Sequence, residues 1–335
     1  MFQKKRLIAE FEEQSFTQII FPHADTDWTE YLREAELCFI NIIKAITEFQ
    51  KCLVVCADVT EVKKHFKPHP NLFFVEYKTN DTWARDCSCL CVSEEDETKL
   101  LNFTFNGWGN KFEATKDNTL SHAISNCYKN SMEDIDFVLE GGALESNGAD
   151  KILTTTHSML NANRNRETNA IEITKKLKSF FGMDHILYLN HGYLAGDDTD
   201  SHIDTLARFI NKDTIMYVAC HDEADEHYHQ LQLMQEELSM IAQEQDLHLI
   251  PLPFPDAIYY DKERLPATYA NFLFVNGAVL VPTYGVTQDK EAIEIFTKTF
   301  PTRKIIPIDC SVLIRQHGSL HCVSMNFARS VLLTC

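Results

Sequence analysis

Apolar side chains follow two patterns along this chain: short continuous runs, and longer stretches where they return every three or four residues. The second pattern marks helices with one buried face, and the first marks buried strands. Leu32, Phe39, Ile42, Ile43 and Ile46 share a face and predict a helix over 29–49. Ile171, Leu177 and Phe181, with Thr174 beside them, predict another over 164–181, capped by Gly182. The same spacing predicts helices over 226–245 and 288–300. The continuous runs predict strands at 52–57, 71–77, 101–105, 135–139, 185–189, 247–252 and 304–308.

Three turn-then-strand segments, at Asn147, Asn211 and Asn276, begin about 65 residues apart. Each leads into a strand, then a helical pattern, then a short apolar strand. The repeating unit reads strand, strand, helix, strand, and five such units fill 335 residues. No linker rich in Pro, Gly or Ser interrupts them. The expectation is an α/β protein, one domain over residues 1–335 made of five modules, rather than two domains with coincident spacing.

Composition narrows the function. Hydrophobic residues make up 44% and charged residues 24%, an ordinary globular profile that excludes disorder, collagen and coiled coil. Lys and Arg number 31 against 49 Asp and Glu, a net charge of -18. That balance argues against nucleic acid or an anionic membrane as partner, and suits a cationic small molecule. The basic residues Lys4, Lys5 and Arg6 are not followed by an apolar run, so no signal peptide is expected. No run approaches the ~18 apolar residues of a spanning helix. Eleven cysteines without a Cys-x-x-Cys pair suggest neither a disulfide framework nor a zinc ribbon, and place the chain in the cytoplasm. Cys87, Cys89 and Cys91 alternate as small apolar side chains would on one strand face. A homodimer is compatible with the sequence, which locates no interface.

Four polar places follow strands and recur at nearly the module interval: Asp86 within Asp81–Thr82–Trp83–Ala84–Arg85–Asp86, Glu140 before Gly141 and Gly142, His202 with Asp204, and Cys322 after His321. Modules arranged about an axis would bring these residues into one pocket. A thiolate is a good nucleophile once its pKa is lowered, and a histidine shuttles protons. Carboxylates beside a thiol raise its pKa, so they fit better as a binding site for a planar cation. A guanidinium offers five N–H donors in a fork that carboxylates accept pairwise. Together these groups suggest attack on a guanidinium carbon rather than a peptide carbonyl. Taken singly, each motif also has a plain structural reading as a turn, an ion pair or a packed thiol.

At these residues the sequence resembles the agmatine deiminases, within the superfamily of guanidine-modifying enzymes that also holds arginine and peptidyl-arginine deiminases. Asp81–Thr82–Trp83–Ala84–Arg85–Asp86 matches the family's Asp-Thr-Trp-x-Arg-Asp, and Phe105–Asn106–Gly107–Trp108–Gly109–Asn110–Lys111 is similar to its Phe-Asn-x-Trp-Gly-Gly-Lys. Ala9–Glu10–Phe11–Glu12, Glu140–Gly141–Gly142, Asp200–Ser201–His202–Ile203–Asp204 and His321–Cys322 fall in the family's order. The resemblance implies a five-bladed, pseudo-symmetric α/β propeller around a central active site. It implies that Cys322 attacks agmatine's guanidinium carbon, that Asp86 and Asp204 hold its nitrogens, and that Glu140 binds it and helps move protons. His202 would protonate the departing ammonia and then activate water against a covalent thiouronium. The implied products are N-carbamoylputrescine and ammonia, with no metal or organic cofactor. Trp83 would wall the channel, and Asp198 would face the distal ammonium.

The chain departs from the family where Ser88 and Cys89 replace a Gly-Pro, and where Gln316 and His317 stand at positions usually held by glycine before the nucleophile. Larger side chains there are expected to narrow the pocket or change how substrate is held. Two other activities compete. Arginine or peptidyl-arginine would need a basic partner for a carboxylate, such as Arg164, Arg166 or Arg315, whereas Asp197, Asp198 and Asp200 would form an acidic mouth for agmatine. A metallohydrolase could draw ligands from 221–229, which includes His221, His227 and His229, or from His202 and Asp204. A binding protein without activity fits less well, since every proposed catalytic residue is present.

Overall fold

The computed structural model describes residues 5–95, 97–166 and 169–335. It is mixed α/β, and five of its sheets share one plan. In each, one strand pairs antiparallel with the next, and that second strand pairs parallel with the strand beyond a helix. Antiparallel neighbours need only a tight turn, while parallel neighbours need a crossover, so the helix falls between the parallel pair.

One unit runs from Glu145–Ser146 through Lys151–Thr155 and the helix Ala170–Phe181 to His185–Leu189. The next comprises Ala207–Asn211, Thr214–Ala219, the helix Tyr228–Gln245 and His248–Pro253. A third comprises Leu273–Val275, Ala278–Thr283, the helix Gln288–Thr299 and Lys304–Asp309. Ahead of them lie Leu90–Glu94, Glu97–Thr104, the helix Thr115–Ala123 and Met132–Val138. The fifth unit joins the two ends of the chain: Ser324–Ala328 pairs antiparallel with Gln14–Ile20, which precedes the helix Leu32–Thr47 and pairs parallel with Lys51–Cys56. A two-stranded hairpin, Tyr259–Tyr260 with Glu263–Arg264, is added outside this plan.

The second strand of a unit is covered on both faces. Ile215, Met216 and Val218 have no exposure, and neither have Val279, Leu280 and Val281. Buried parallel strands read as continuous apolar runs, which is why these were visible in the sequence.

Several sequence expectations shift. The helix expected over 164–181 begins at Ala170, because the Asn169 side chain accepts from Glu172 N and Glu172 bonds back, a capping box. Ile171 then lies 68% exposed, and the buried stripe is Ile173, Leu177 and Phe181. Gly182 caps the helix in the left-handed region, as expected, at φ 65°. The helix expected from residue 29 starts at Leu32 after a 3-10 turn. Cys87 ends the helical turn Ala84–Cys87, so it does not share one strand with Cys89 and Cys91, although all three are buried. No helix among the described residues is long and apolar enough to cross a membrane. Residues 1–4, on which the leader expectation partly rests, and 167–168 of the expected helix lie outside the described residues.

Candidate functional site

Each unit contributes at least one polar side chain from the segment just ahead of its first strand. Asp86 stands in the turn before Leu90–Glu94, and Glu140 before Glu145–Ser146. Asp204 lies in the 3-10 turn Ile203–Thr205 before Ala207–Asn211, with His202 at its start. Asn271 precedes Leu273–Val275, and Cys322 precedes Ser324–Ala328. The same register in five units brings all of them to one place.

Cys322 is buried, and its Sγ lies 3.8 Å from Asp204 Oδ2. Asn271 Nδ2 donates to that sulfur at 3.2 Å, and Asn271 Oδ1 accepts from the backbone N–H of His321 and of Cys322. Burial, then the charges of Asp204 and Asp86, push the thiol pKa well above its ordinary value. The free protein therefore holds a thiol, not a thiolate.

Asp204 is fully buried and accepts from His321 Nδ1 at 2.7 Å. Burial opposes its charge, but the His321 hydrogen bond and the neighbouring charges of His321, His202 and Arg208 outweigh it and hold the carboxyl below its usual range. Asp86 has the opposite fate. Burial, followed by repulsion from Asp204 and Glu140, raises it to about 8, despite hydrogen bonds from Trp108 Nε1 and Gly142 N, both 2.9 Å. Two carboxylates that would face one cation are thus separated in protonation by their surroundings.

His202 is buried, with Nδ1 3.7 Å from Asp86 Oδ1 and Nε2 4.0 Å from Glu140 Oε2. Burial drives its pKa down to about 3, so the ring is neutral. The two residues before it, Asp200 and Ser201, both lie in the left-handed region, at φ 65° and 62°. That costly backbone is tied down: Asp200 accepts from Arg164 Nη1 at 2.7 Å and Lys111 Nζ at 2.8 Å, and Ser201 N donates to Asp197 Oδ2. Arg164 also sends Nε to both oxygens of Glu140, at 2.7 and 2.9 Å. Burial still outweighs that partner and raises the Glu140 pKa.

Above these groups opens a cleft of about 440 Å³, with Cys322 and Asp86 at its base and Trp83, Trp108 and Phe112 among its walls. Trp83 is held by Gly318, where a β-carbon would meet the indole ring at 2.2 Å, and by its own N–H on Asp81 Oδ2 at 3.1 Å. Asp27, Asp81 and Asp198 line the cleft, and no Lys or Arg does among the described residues. Burial and the Asp27 charge raise Asp81 to about 7.

Asp86, Glu140, His202, Asp204 and Cys322 therefore come together, with Trp83 and Asp198 in the cleft above. The three-residue acidic mouth does not form as expected. Asp197 is turned inward onto Thr199 and Ser201, and Asp200 is neutralised by Arg164 and Lys111. Arg164 serves Glu140, while Arg315 pairs with Glu34 and stacks on Tyr31 and Tyr260, so neither offers a carboxylate partner in the cleft. Arg166 is exposed and does not line the cleft. Gln316 and His317 both line it. Gln316 donates to Asp27 O and Tyr31 Oη, and His317, at φ 68°, bonds Gly196 O at 2.6 Å. At 221–229, His227 has both nitrogens engaged, by Asp225 and by the N–H of Ala195. Among the described residues no group of three His, Cys, Asp or Glu is placed to hold a metal.

The sequence reading missed Asn271, Gly142, Arg164 as the partner of Glu140, and the pairing of His321 with Asp204. Asn271 had a signal: Cys322 lies two module intervals beyond His202, and Asn271 occupies the intervening slot.

The sequence profile of the Porphyromonas-type peptidyl-arginine deiminase family matches residues 6–327. The agmatine deiminase of Pseudomonas aeruginosa (strain UCBPP-PA14) is 25% identical over 350 residues, covering 95% of this chain and 94% of that protein. A solved cysteine-to-serine variant of C. jejuni agmatine deiminase, with substrate bound, is 41% identical, with a TM-score of 0.92 over 96% of both chains. The agmatine deiminase of Enterococcus faecalis superposes with a TM-score of 0.91 at 25% identity, over 98% of this chain and 96% of that one.

Proposed function

The chain belongs to the Porphyromonas-type peptidyl-arginine deiminase family, and from that premise we propose that it is an agmatine deiminase, hydrolysing agmatine to N-carbamoylputrescine and ammonia. The observation that carries the reading is the base of the cleft. There the Cys322 thiol lies beside Asp204 and Asp86, beneath a mouth lined by acidic side chains.

The guanidinium binds between Asp204 and Asp86, which brings a positive charge to the sulfur and offsets the repulsion that raises its pKa. Neutral His202 takes the thiol proton as Cys322 attacks the guanidinium carbon, and returns it to the leaving ammonia. A thiouronium joins Cys322 to the remaining amidine. His202 then deprotonates water, whose oxygen attacks the same carbon. The adduct collapses to the ureido carbonyl, the C–S bond breaks, and Cys322 leaves as a thiol with the proton held by His202. The remaining hydroxyl proton passes to the released ammonia or to solvent. Asn271 Nδ2 is placed to stabilise the sulfur whenever it is anionic. Glu140 holds guanidinium N–H groups and, with its raised pKa, shares proton movement with His202. Trp83 walls the alkyl chain, and Asp198 faces the distal ammonium.

We read the five sheets as blades of a single propeller domain spanning residues 1–335. The equal plan of the sheets and the strand exchange between the chain ends support this. The product leads toward putrescine, consistent with a cytoplasmic enzyme of polyamine synthesis. Free arginine is the second reading, and the absence of a Lys or Arg among the described cleft residues disfavours its carboxylate. Incubation with agmatine and with arginine, scoring ureido product and ammonia, decides between them. Equal amounts of both products from agmatine are expected, with little from arginine. Product from arginine alone would overturn the substrate assignment.

A further inference from the structure

Asp204 gives one carboxylate oxygen to the protein and keeps the other free. Oδ2 receives His321 Nδ1 at 2.7 Å and lies 3.8 Å from Cys322 Sγ, while Oδ1 is buried with no hydrogen-bond partner among the described residues. His321 is itself buried, and its other nitrogen, Nε2, lies 2.5 Å from Glu10 Oε2. Both ring nitrogens thus face carboxylate oxygens. Glu10 is fixed from behind by Arg85 Nη2 at 3.0 Å and Arg208 Nη2 at 3.2 Å, and Oε1 accepts from Phe274 N. Arg208 is fixed in turn by Glu145. A buried chain of alternating charge therefore ends on Asp204, and only its last oxygen lacks a donor.

A buried carboxylate oxygen without a donor is costly, and a guanidinium N–H supplies one. A carboxylate can turn about its last bond, which would bring either oxygen toward substrate or away. The His321 bond removes that freedom. We propose that His321 is a positioning residue for guanidinium binding: braced on Glu10, it holds Asp204 in the orientation that leaves Oδ1 for the cation. This rests on the guanidine-hydrolase reading and deepens it. The sequence places His321 beside the nucleophile, yet its side chain acts on Asp204, 117 positions away.

The two ring nitrogens can be tested separately. His321→Asn keeps an amide donor near the position of Nδ1, toward Asp204. His321→Gln carries one further out, toward Glu10. Binding of n-butylguanidinium, which has the cation but no distal amine, is measured by calorimetry in a Cys322→Ser background, with agmatine kcat and KM measured in the parent. The Asn variant is expected to bind within about threefold of its parent, and the Gln variant roughly tenfold or more weakly, with the same order in kcat/KM. Near-UV circular dichroism checks that both are folded. A role confined to bracing Glu10 would give the reverse order, or equal binding by both, and either result overturns the proposal. Failure of the Cys322→Ser parent to bind n-butylguanidinium would instead remove the guanidine reading, and this inference with it.

Discussion

Gly142 packs directly against His202: a β-carbon on the glycine would stand 2.7 Å from the imidazole Nδ1. The same position would be 2.9 Å from Asp86 Oδ1 and 3.1 Å from Asp204 Oδ2. Three functional groups therefore converge on a point that only a hydrogen atom can occupy, and the Gly142 N–H itself bonds Asp86.

Gly142→Ala should push these groups apart by a few tenths of an ångström. Misplacement of about 1 Å can cost roughly 100-fold in turnover, so a shift of a few tenths at three groups together should cost roughly tenfold, while overpacking costs only about 1–3 kcal/mol of stability. Steady-state kinetics with a thermal melt separates the two. A variant that melts like the parent and turns over within about threefold of it would show that this contact does not tune the site.

Asp86 gives a pH dependence with a definite sign. With its pKa raised to about 8, it is mostly protonated at neutral pH in the free protein. A guanidinium needs the carboxylate, so the deprotonated form binds better. Affinity should rise as pH climbs toward 8 and level off above it, and binding near neutral pH should release up to about one proton per site. Calorimetry of the Cys322→Ser protein in buffers of different ionisation enthalpy measures that proton directly. Binding with no proton released near pH 7 would place Asp86 already ionised.

Much of this site was legible before the structure because the fold repeats. Asp86, Glu140, His202 and Cys322 stand at one stage of their units, and residue type, spacing and resemblance to a family together marked them. Asn271 stands at that stage too, but an amide in an apolar run carries no chemical signal until a sulfur is found beside it. Arg164 looked like a partner for a substrate carboxylate because its charge was visible and its neighbour Glu140 was not. Ile171 misled for a local reason: it falls in the first turn of a helix whose start is set by the Asn169 cap, so its face points to water. Periodicity recovered the elements and their order. The pairings that set protonation join distant segments, and no spacing rule encodes them.

Asp198 should act on the far end of the substrate. It lines the cleft mouth with its side chain 41% exposed, so its attraction for an ammonium is partly screened. Asp198→Asn should raise the KM for agmatine by roughly threefold to tenfold with little change in kcat. A guanidine without a distal amine should be unaffected. Equal loss for both substrates would mean that Asp198 shapes the loop rather than meets the amine.

Arg164 joins Glu140 to the strained loop before His202, with its side chain 2% exposed. Arg164→Met removes one partner of a buried ion pair and leaves Glu140 unpaired, which costs about 3–5 kcal/mol. It also frees Asp200 and Ser201 from one tether. The expected result is a lower unfolding midpoint in denaturant together with a fall in kcat. Arg164→Lys keeps the charge without the fork and should fall between the two. Parent-like stability in the Met variant would contradict the pairing.

Asn271 tests the electrostatics at Cys322. Its Nδ2 lies 3.2 Å from Cys322 Sγ and is, among the described residues, the one side-chain group that donates to that sulfur. Asn271→Asp is nearly isosteric, so the clamp that Oδ1 makes on the backbone of His321 and Cys322 can persist. It replaces a donor with another carboxylate beside a thiol that Asp204 and Asp86 already disfavour as a thiolate. Alkylation by iodoacetamide follows thiolate content, so modification of Cys322, read by mass spectrometry of its own peptide, should slow by roughly tenfold. The kcat/KM profile should move to higher pH, because more hydroxide is needed to reach the same thiolate fraction. Asn271→Ala, which removes the donor without adding charge, should slow alkylation less. If the Asp variant, which keeps the clamp, alkylates at the parent rate while the Ala variant, which loses it, is slow, the amide acts by clamping the backbone, and its bond to sulfur adds nothing to Cys322.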